Sequence, residues 1–222
     1  MDAITILEID SVELSFDERK ILQSVYLKIP RYQITSILGR NGCGKSSLLQ
    51  IVFGTMRATN KSVRVNGKYV ESLYRQGNVA RYLPQHPLTP SSMKVKDALA
   101  WYGVDLHEAK YDKLPTLISQ RMGELSGGER RFIEALMVLL SPVPFVLLDE
   151  PFTNLAPIYV EALKQHIVEQ KQNKGVLITD HLYREVLDIA DQNYLIQSGS
   201  TYLLTNPRQE LVDRFYMFNN ID

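Results

Sequence analysis

Short runs of alternating or continuous apolar residues, separated by turn residues, organise the first 80 positions. The segments ITILEID and SVYLKI alternate between apolar and polar residues, which predicts half-buried strands. ITSIL, at 34–38, is a short and mostly apolar run that predicts a buried strand. Asn66-Gly67, inside KSVRVNGKYV, is a strong hairpin signal. We therefore expect the N-terminal part of the chain to be rich in β-structure.

Helical patterns alternate with apolar strands farther along the chain. SSLLQIVFG predicts a helix that ends at Gly54, and PIYVEALKQHIVEQ predicts a longer helix between the buried strands PFVLLDE and GVLITD. NPRQELVDRFYMF predicts a C-terminal helix with Asn206 as its N-cap and Pro207 at its first position. Such alternation predicts a parallel sheet that is covered on both faces.

The segment from Leu88 to Glu124 has a different character. Prolines at positions 87, 90 and 115 separate short helical patterns such as KVKDALAWYG and PTLISQRM. We expect a helical lobe over residues 87–141, inserted into a core formed by residues 1–86 and 142–222. The expected fold class is α/β, as one domain over 1–222 with a mixed core sheet, an N-terminal antiparallel β part and an inserted α-helical lobe.

The composition limits the partners of the chain. Lys and Arg (25) balance Asp and Glu (25), so no overall charge draws the chain to nucleic acid, and we expect no nucleic-acid partner. A single cysteine excludes an internal disulfide and a cysteine-rich zinc site. No signal-peptide pattern opens the sequence, and no apolar run approaches the roughly 20 residues that cross a bilayer. A membrane-spanning part is therefore expected in another polypeptide.

GRNGCGKSS is the strongest chemical motif in the chain. It follows a predicted strand and opens a predicted helix, which is the context of a phosphate-binding loop. In such a loop, backbone N–H groups and the helix N-terminus hold the β-phosphate, a lysine reaches the β- and γ-phosphates, and a serine hydroxyl binds Mg²⁺. The motif, called the phosphate loop below, predicts a nucleotide site formed by Gly39, Arg40, Asn41, Gly42, Cys43, Gly44, Lys45, Ser46 and Ser47.

Two carboxylates follow the apolar strand FVLLDE. Asp149 and Glu150 alone would be explained by a strand that meets solvent, but the phosphate loop in the same chain favours a magnesium site. We expect Asp149 to hold Mg²⁺ directly or through water, and Glu150 to polarise or orient the attacking water. Cys43 is interpreted as a small loop residue rather than as a thiol activated by the helix end.

LSGGER, at 125–130, opens an apolar helix with two glycines. Ser126 and Glu129 have the spacing of a capping box. Gly127 and Gly128 do not favour a helix, since each costs roughly 1 kcal/mol relative to alanine. Either this surface tolerates them, or the backbone must allow something to approach closely. The segment Ser126–Glu129 is called the glycine turn below.

Gln85, in YLPQHP, and His181, in LITDH, each follow a segment of strand character. A single histidine is as compatible with a structural role as with a functional one. A single glutamine indicates almost nothing about function.

In their order along the chain, these motifs resemble those of the ATP-binding-cassette (ABC) ATPases. The resemblance runs from Phe16 through the phosphate loop, LPQ, LSGGER, LLDEP and TDH. Other phosphate-loop families, such as GTPases and kinases, lack LSGGER between the lobe and the second carboxylate strand. LSGGERR, LLDEPF and LITDH look most like the ATPases of lipopolysaccharide export and of branched-chain amino-acid uptake.

The resemblance implies a role for each motif. Phe16 would stack on adenine, Gln85 would contact Mg²⁺ or water and sense the membrane subunit, and His181 would contact the γ-phosphate. The glycine turn would close over the nucleotide in the phosphate loop of a second copy, giving a head-to-tail homodimer around two ATP molecules. The implied catalytic set is Lys45, Gln85, Glu150 and His181, and the implied Mg²⁺ set is Ser46, Gln85 and Asp149.

The resemblance also implies an ATPase that powers transport through separate transmembrane permease subunits. Such a protein would be cytoplasmic, held at the inner face of the cell membrane by its permease, which would select the substrate. Two alternatives stay open: a soluble ATPase of the same family that acts on DNA or ribosomes, and a regulatory ATP-binding module with little turnover.

Two features depart from the pattern of the family. In FTNLAP, Ala156 stands where family members usually carry an aspartate that helps to couple the two sites. This departure predicts looser coupling between the two sites. The segment between Gln85 and Leu125 is also short for the family, which suggests an unusual membrane partner.

Overall fold

Strands and helices alternate along the chain much as the apolar pattern predicts. The computed structural model describes residues 4–105, 111 and 114–214. The strands are β1 (Ile6–Phe16), β2 (Arg19–Pro30), β3 (Ile34–Leu38), β4 (Asn60–Val65), β5 (Lys68–Tyr69), β6 (Ala80–Leu83), β7 (Phe145–Asp149), β8 (Gly175–Thr179), β9 (Gln192–Gln197) and β10 (Ser200–Leu204). The helices are α1 (Lys45–Phe53), α2 (Leu73–Gln76), α3 (Val95–Trp101), α4 (Leu114–Leu117), α5 (Gly127–Leu140), α6 (Pro157–Gln170), α7 (Tyr183–Leu187) and α8 (Pro207–Asp213).

One mixed sheet contains all of these strands, in the order β5-β4-β1-β2-β10-β9-β3-β8-β7-β6. The strands β1, β2, β4 and β5 pair antiparallel, and the hairpin between β4 and β5 turns at Asn66 and Gly67, which both have positive φ. The strands β9, β3, β8, β7 and β6 pair parallel. Ser200 of β10 pairs with Ser24 of β2 and joins the two parts.

The parallel strands are buried on both faces, as their continuous apolar sequences predict. Every residue of β3, β7 and β8 is buried. Alternate side chains enter two cores: Leu147 packs with the β1, β2 and α1 side, and Leu148 packs with the α5 and α6 side. Helix α5 contacts α6, β6, β7 and α3, so it connects the helices of the predicted lobe to the sheet.

The predictions differ from the structure near the C-terminus. The hairpin of β9 and β10 was not predicted, although its turn, Ser198-Gly199, is a recognised turn signal. Asn206 precedes α8, but its side chain makes no capping bond; instead Glu210 accepts the backbone N–H groups of Thr205 and Asn206. Residues 215–218 of the predicted helix lie outside the described residues. None of the described helices is long and apolar enough to cross a membrane.

A buried lysine holds the C-terminal end of α5. The Lys174 side chain is 4% exposed, and its ammonium donates to the carbonyl oxygens of Leu139 (2.6 Å) and Ser141 (2.8 Å). The last carbonyls of a helix lack intrahelical partners and carry partial negative charge. The cation therefore gives both buried carbonyls a charged donor; the Ser141 carbonyl also accepts the Val143 N–H at 2.8 Å.

We expect Lys174→Met to lower the free energy of unfolding by about 2 kcal/mol, because two buried carbonyls lose a charged donor. Urea unfolding followed by circular dichroism measures the change. Lys171→Met is the matched control: its ion pair with Asp191 lies nearer the surface, at 2.8 Å, and such pairs contribute about 0–1 kcal/mol. Equal losses in the two variants would contradict this role of Lys174.

Candidate functional site

A cavity of about 480 Å³ lies where the parallel strands end. The segments that follow β3, β6, β7 and β8 meet at this edge because these strands run in the same direction. Its lining includes most of the predicted site residues: Phe16, Asn41, Gly42, Gly44, Lys45, Ser46, Ser47, Gln85, Glu150 and His181, together with Ile21. The fold therefore brings side chains from distant parts of the sequence to one cavity.

The phosphate loop connects β3 to α1. Gly44 precedes α1 with φ of 103°, and a Cβ there would lie 3.0 Å from Ile21 and Leu22 side-chain atoms, so this position requires glycine. The Lys45 ammonium donates to the carbonyl oxygens of Gly39 (2.7 Å) and Arg40 (3.2 Å). The cation is thereby held over the loop in which phosphates are predicted to bind.

Asp149 lies beneath the cavity and is 1% exposed. Its Oδ1 accepts hydrogen bonds from Ser46 Oγ (3.1 Å) and Thr179 Oγ1 (2.8 Å), and its Oδ2 accepts one from Tyr82 Oη (3.0 Å). Burial, and then the Asp149 carboxylate, raise the pKa of the Tyr82 phenol, which keeps it a neutral donor. Gln85 Nε2 in turn donates to Ser46 Oγ at 2.9 Å, so the three predicted Mg²⁺ ligands are linked.

The predicted ligand set fits Mg²⁺. It offers a carboxylate, a hydroxyl and an amide, all of which carry the hard oxygen atoms that this ion prefers. Among the residues that the structure describes, no group of three or more His, Cys, Asp and Glu side chains is placed to hold a metal ion. A bound Mg²⁺ would therefore take its remaining ligands from nucleotide phosphates and water, as is usual for this ion.

Glu150 has a strained backbone and faces the cavity. Its φ is 49°, a left-handed conformation that costs a residue with a side chain about 1–3 kcal/mol and that clusters at functional sites. The Glu150 N–H donates to Thr179 O at 2.8 Å. Glu150 Oε2 accepts from Thr153 Oγ1 at 3.4 Å and lies 3.9 Å from His181 Nδ1. The predicted carboxylate and histidine are therefore neighbours.

Several residues around the site were not predicted. Buried Asp180 accepts the backbone N–H groups of Phe152 and Leu182, both at 3.0 Å, and fixes the loops after β7 and β8. Burial raises the pKa of Asp180, and these two hydrogen bonds oppose the rise. Arg131 was also missed, although a charged residue in the apolar helix after LSGGER was a signal that it has buried partners.

The Cys43 thiol is not activated. Burial raises its pKa, and the nearby Lys45 ammonium only partly opposes the rise. A Cβ at Gly39 would come within 2.7 Å of Cys43 Sγ, so the two residues pack closely. This geometry agrees with the interpretation of Cys43 as a small loop residue.

The glycine turn lies outside the phosphate-loop cavity. Its capping box is formed as predicted: Glu129 N–H donates to Ser126 Oγ at 3.2 Å, and Ser126 N–H donates to Glu129 Oε2 at 3.0 Å. Gly127 and Gly128 line a second cavity of about 380 Å³, which shares Gln85 and Glu150 with the first.

The chain itself does not require the two glycines. Neither of them is among the residues with positive φ. A Cβ at Gly127 would meet nothing within 4 Å, and one at Gly128 would meet only Asn154 O, at 3.4 Å. Within the part of the chain that the structure describes, no contact requires glycine at these two positions, although glycine lowers the stability of a helix.

The sequence of this chain is similar to those of known ATP-binding proteins. The family model described as ABC transporter matches residues 22–153. The chain is 31% identical to the lipopolysaccharide export system ATP-binding protein LptB of Haemophilus influenzae, over 96% of this chain and 98% of that protein. It is 28% identical to the high-affinity branched-chain amino acid transport ATP-binding protein BraG of Pseudomonas aeruginosa, over 91% of this chain and 96% of that protein.

Solved structures with the same fold are also ATP-binding cassettes. The ATP-binding subunit of an ABC transporter superposes with a TM-score of 0.82 at 20% identity, covering 96% of this chain and 98% of that chain. The ADP conformation of MJ1267, an ATP-binding cassette of an ABC transporter, gives 0.72 at 26% identity, with 90% of each chain covered. The expected fold class and resemblance are confirmed.

We expect Gly127→Ala to keep or raise the free energy of unfolding, by up to about 1 kcal/mol, because alanine favours a helix and its methyl group meets nothing here. The matched control is Gly44→Ala. The backbone at position 44 has positive φ, so this substitution should lower the free energy of unfolding by more than about 1 kcal/mol. Thermal and urea unfolding measure both. A destabilised Gly127→Ala protein would show that the chain needs this glycine for its own fold.

Ala156 precedes α6 with extended backbone, and its side chain makes no capping bond. We expect Ala156→Asp to raise the free energy of unfolding by about 1 kcal/mol, because a carboxylate at an exposed N-cap can accept the N–H of the second helical residue, Ile158, and lies at the positive end of the helix dipole. Ala156→Leu serves as the control, since it adds volume without an acceptor. Stabilisation by leucine to the same extent would argue against capping as the cause.

Proposed function

The chain belongs to the ABC transporter family of ATP-binding proteins, and on that premise we propose that it is the ATP-hydrolysing subunit of a transporter whose membrane-spanning subunits are separate chains. One observation carries the proposal: a single cavity joins the phosphate loop to Gln85, Glu150 and His181, with Asp149 buried directly beneath it. These are the groups that phosphoryl transfer to water requires.

We propose that ATP binds with its phosphates on the phosphate loop and at the N-terminus of α1. Lys45 exchanges its bonds to loop carbonyls for the β- and γ-phosphates. Phe16, whose side chain is 53% exposed at the rim of the cavity, offers a ring on which adenine stacks. Ser46, Gln85 and Asp149 hold Mg²⁺, which when bound neutralises charge on the phosphate oxygens.

Hydrolysis then depends on position and charge more than on covalent chemistry. Glu150 accepts a hydrogen bond from the attacking water and orients it toward the γ-phosphorus. His181, beside Glu150, donates to a γ-phosphate oxygen. Lys45 balances the negative charge of the transferring group. The Glu150 backbone is held in a left-handed conformation, and the Thr153 hydroxyl donates to its carboxylate at 3.4 Å, so the position of the residue is set before the water arrives.

We propose that a second copy of the chain completes each site. The glycine turn lies outside the phosphate-loop cavity of its own chain, and no described residue of that chain requires its glycines. A helix N-terminus without side chains can approach a phosphate closely and direct N–H groups at it. These observations support a head-to-tail homodimer in which the glycine turn of one copy covers the γ-phosphate held by the other.

A groove of about 660 Å³ supports docking of a membrane subunit. Residues of α1, α2, β6 and the end of α3 line it, and these include Tyr74, Arg81, His86, Trp101 and Tyr102. Trp101 is 79% exposed, and exposed aromatic residues of this kind mark interaction surfaces. We propose that a permease segment fills this groove and holds the protein at the inner face of the membrane. Gln85 lines the phosphate-loop cavity, and the next residue, His86, lines the groove. A permease in the groove and a nucleotide in the cavity would therefore contact adjacent residues.

We expect Glu150→Gln to reduce steady-state ATP hydrolysis by about 10²-fold or more, because an amide is a poor acceptor for the proton of the attacking water. ATP affinity and ATP-dependent dimerisation should persist, because Lys45 and the phosphate loop are unchanged. Phosphate release, equilibrium binding and light scattering measure the three properties. The control is Glu161→Gln, a substitution of an exposed glutamate on α6.

Three outcomes would contradict this proposal. Normal hydrolysis by Glu150→Gln would exclude the carboxylate role. No hydrolysis by the unaltered protein would favour the regulatory module with little turnover. Recovery of the protein with ribosomes or DNA, and not with membranes, would favour the soluble ATPase.

A further inference from the structure

Arg131 bonds three backbone carbonyls, on two segments of the site, through a single guanidinium. Its Nη1 donates to Pro84 O at 2.6 Å, and its Nη2 donates to Asp149 O at 2.6 Å and to Glu150 O at 3.0 Å. These carbonyls belong to the residue before Gln85 and to the two carboxylate residues themselves. All three hydrogen bonds end on backbone, so they fix where the chain runs and leave the site side chains available to ligands.

The placement of this charge is costly. The Arg131 residue is 9% exposed, and an ion removed from water needs strong compensation. A planar guanidinium presents its N–H groups as a rigid fork, which the single ammonium of lysine does not reproduce. A helix that needed only packing at this position would use an apolar residue, as it does at the neighbouring Phe132 and Ile133.

We propose that Arg131 is a positioning residue that sets the Gln85 and Glu150 backbones and couples them to the glycine turn. Glu150 is held on both sides: its N–H donates to Thr179 O, and its carbonyl accepts from Arg131. A strained conformation persists only where surrounding contacts over-determine it. Loss of Arg131 removes one of these contacts and lets the Glu150 carboxylate leave its working position.

The same contacts connect two ATP sites in the proposed homodimer. Arg131 lies two residues beyond the glycine turn, in the first part of α5, so a shift of the turn against the partner's nucleotide moves the guanidinium. That movement reaches Glu150 and Gln85 of the same chain, which serve its own nucleotide. Ala156 lacks the carboxylate expected to couple the sites, and Arg131 supplies a route that does not use it.

The test compares Arg131→Met with the unaltered full chain in saturating Mg²⁺ and ATP. Methionine keeps much of the side-chain volume and removes every donor. We expect kcat to fall about 10- to 100-fold, the scale of a catalytic group displaced by about 1 Å. The KM for ATP should change by less than about threefold, because the phosphate loop keeps its contacts. This kinetic part rests on the proposed function.

Lys174→Met is the matched control. It also removes a buried cation that donates to backbone carbonyls. Those carbonyls, of Leu139 and Ser141, lie at the other end of α5 from Arg131 and away from the site. Measured at a temperature at which both variants are folded, Lys174→Met should keep kcat within about twofold of the unaltered protein. An equal fall in kcat in both variants would show that lost stability, not positioning, is the cause.

Hydrogen exchange gives a readout that does not depend on hydrolysis. Arg131→Met should speed amide exchange at Glu150, and at the non-proline residues Gln85, His86 and Leu88, by about tenfold or more. Lys174→Met should instead speed exchange at Leu140, Ser141 and Val143. Unchanged exchange at Glu150 in Arg131→Met, or a kcat within twofold of the unaltered protein, would overturn the proposal. An unaltered protein that hydrolyses no ATP would contradict the proposed function, and the exchange experiment would still decide the role of Arg131.

Discussion

The need to compensate a buried carboxylate organises the site. Asp149 is almost fully removed from water, and its two oxygens accept hydroxyl groups from Ser46, Tyr82 and Thr179. These donors come from α1, β6 and β8. Compensation of this one charge therefore requires all three elements to bring a residue next to the Asp149 carboxylate. A buried polar network of this kind is stable only when every member is satisfied. The arrangement of the strand ends, and with it the shape of the cavity, follows from this requirement.

Buried cations lie at both ends of helix α5, and they need compensation just as the buried carboxylate does. Arg131 lies near its start, and Lys174, from the segment before β8, packs at its end. Both are buried cations that donate to backbone carbonyls, and the charge of Arg131 is stabilised as well by the carboxylates of Glu134, Asp149, Asp180 and Glu150. The carbonyls at the helix end are acceptors that any helix leaves open. Those of Pro84, Asp149 and Glu150 lie where the chain leaves the sheet to form the site, and the Glu150 carbonyl also accepts the Thr153 N–H at 3.3 Å. The start of α5 is therefore bonded to the segments that form the site, and its end is bonded to the segment that leads into β8.

Local patterns predicted much of this protein. The buried strands β3, β7 and β8, the helices α1 and α6, the Asn66-Gly67 turn and the capping box at Ser126 were all predictable, because each depends on residues close in sequence. The side-chain cap expected from Asn206 was wrong: Asn206 makes no side-chain capping bond, and the helix start is held instead by Glu210, which accepts the backbone N–H groups of Thr205 and Asn206. The hairpin of β9 and β10 was missed because its short strands carry mixed apolar and polar residues that give no clear period.

By itself, the sequence determined the chemical groups: the phosphate loop, the two carboxylates after β7 and a helix start whose glycines have no local purpose. These follow from residue type and spacing, which the chain carries in any conformation. Only the tertiary structure decided which groups meet. It placed Tyr82 and Thr179 on Asp149, joined Arg131 to three carbonyls of two distant segments, and kept the glycine turn out of its own chain's phosphate-loop cavity. Such contacts join residues far apart in sequence, and the register of the parallel strands sets them, which no local pattern specifies.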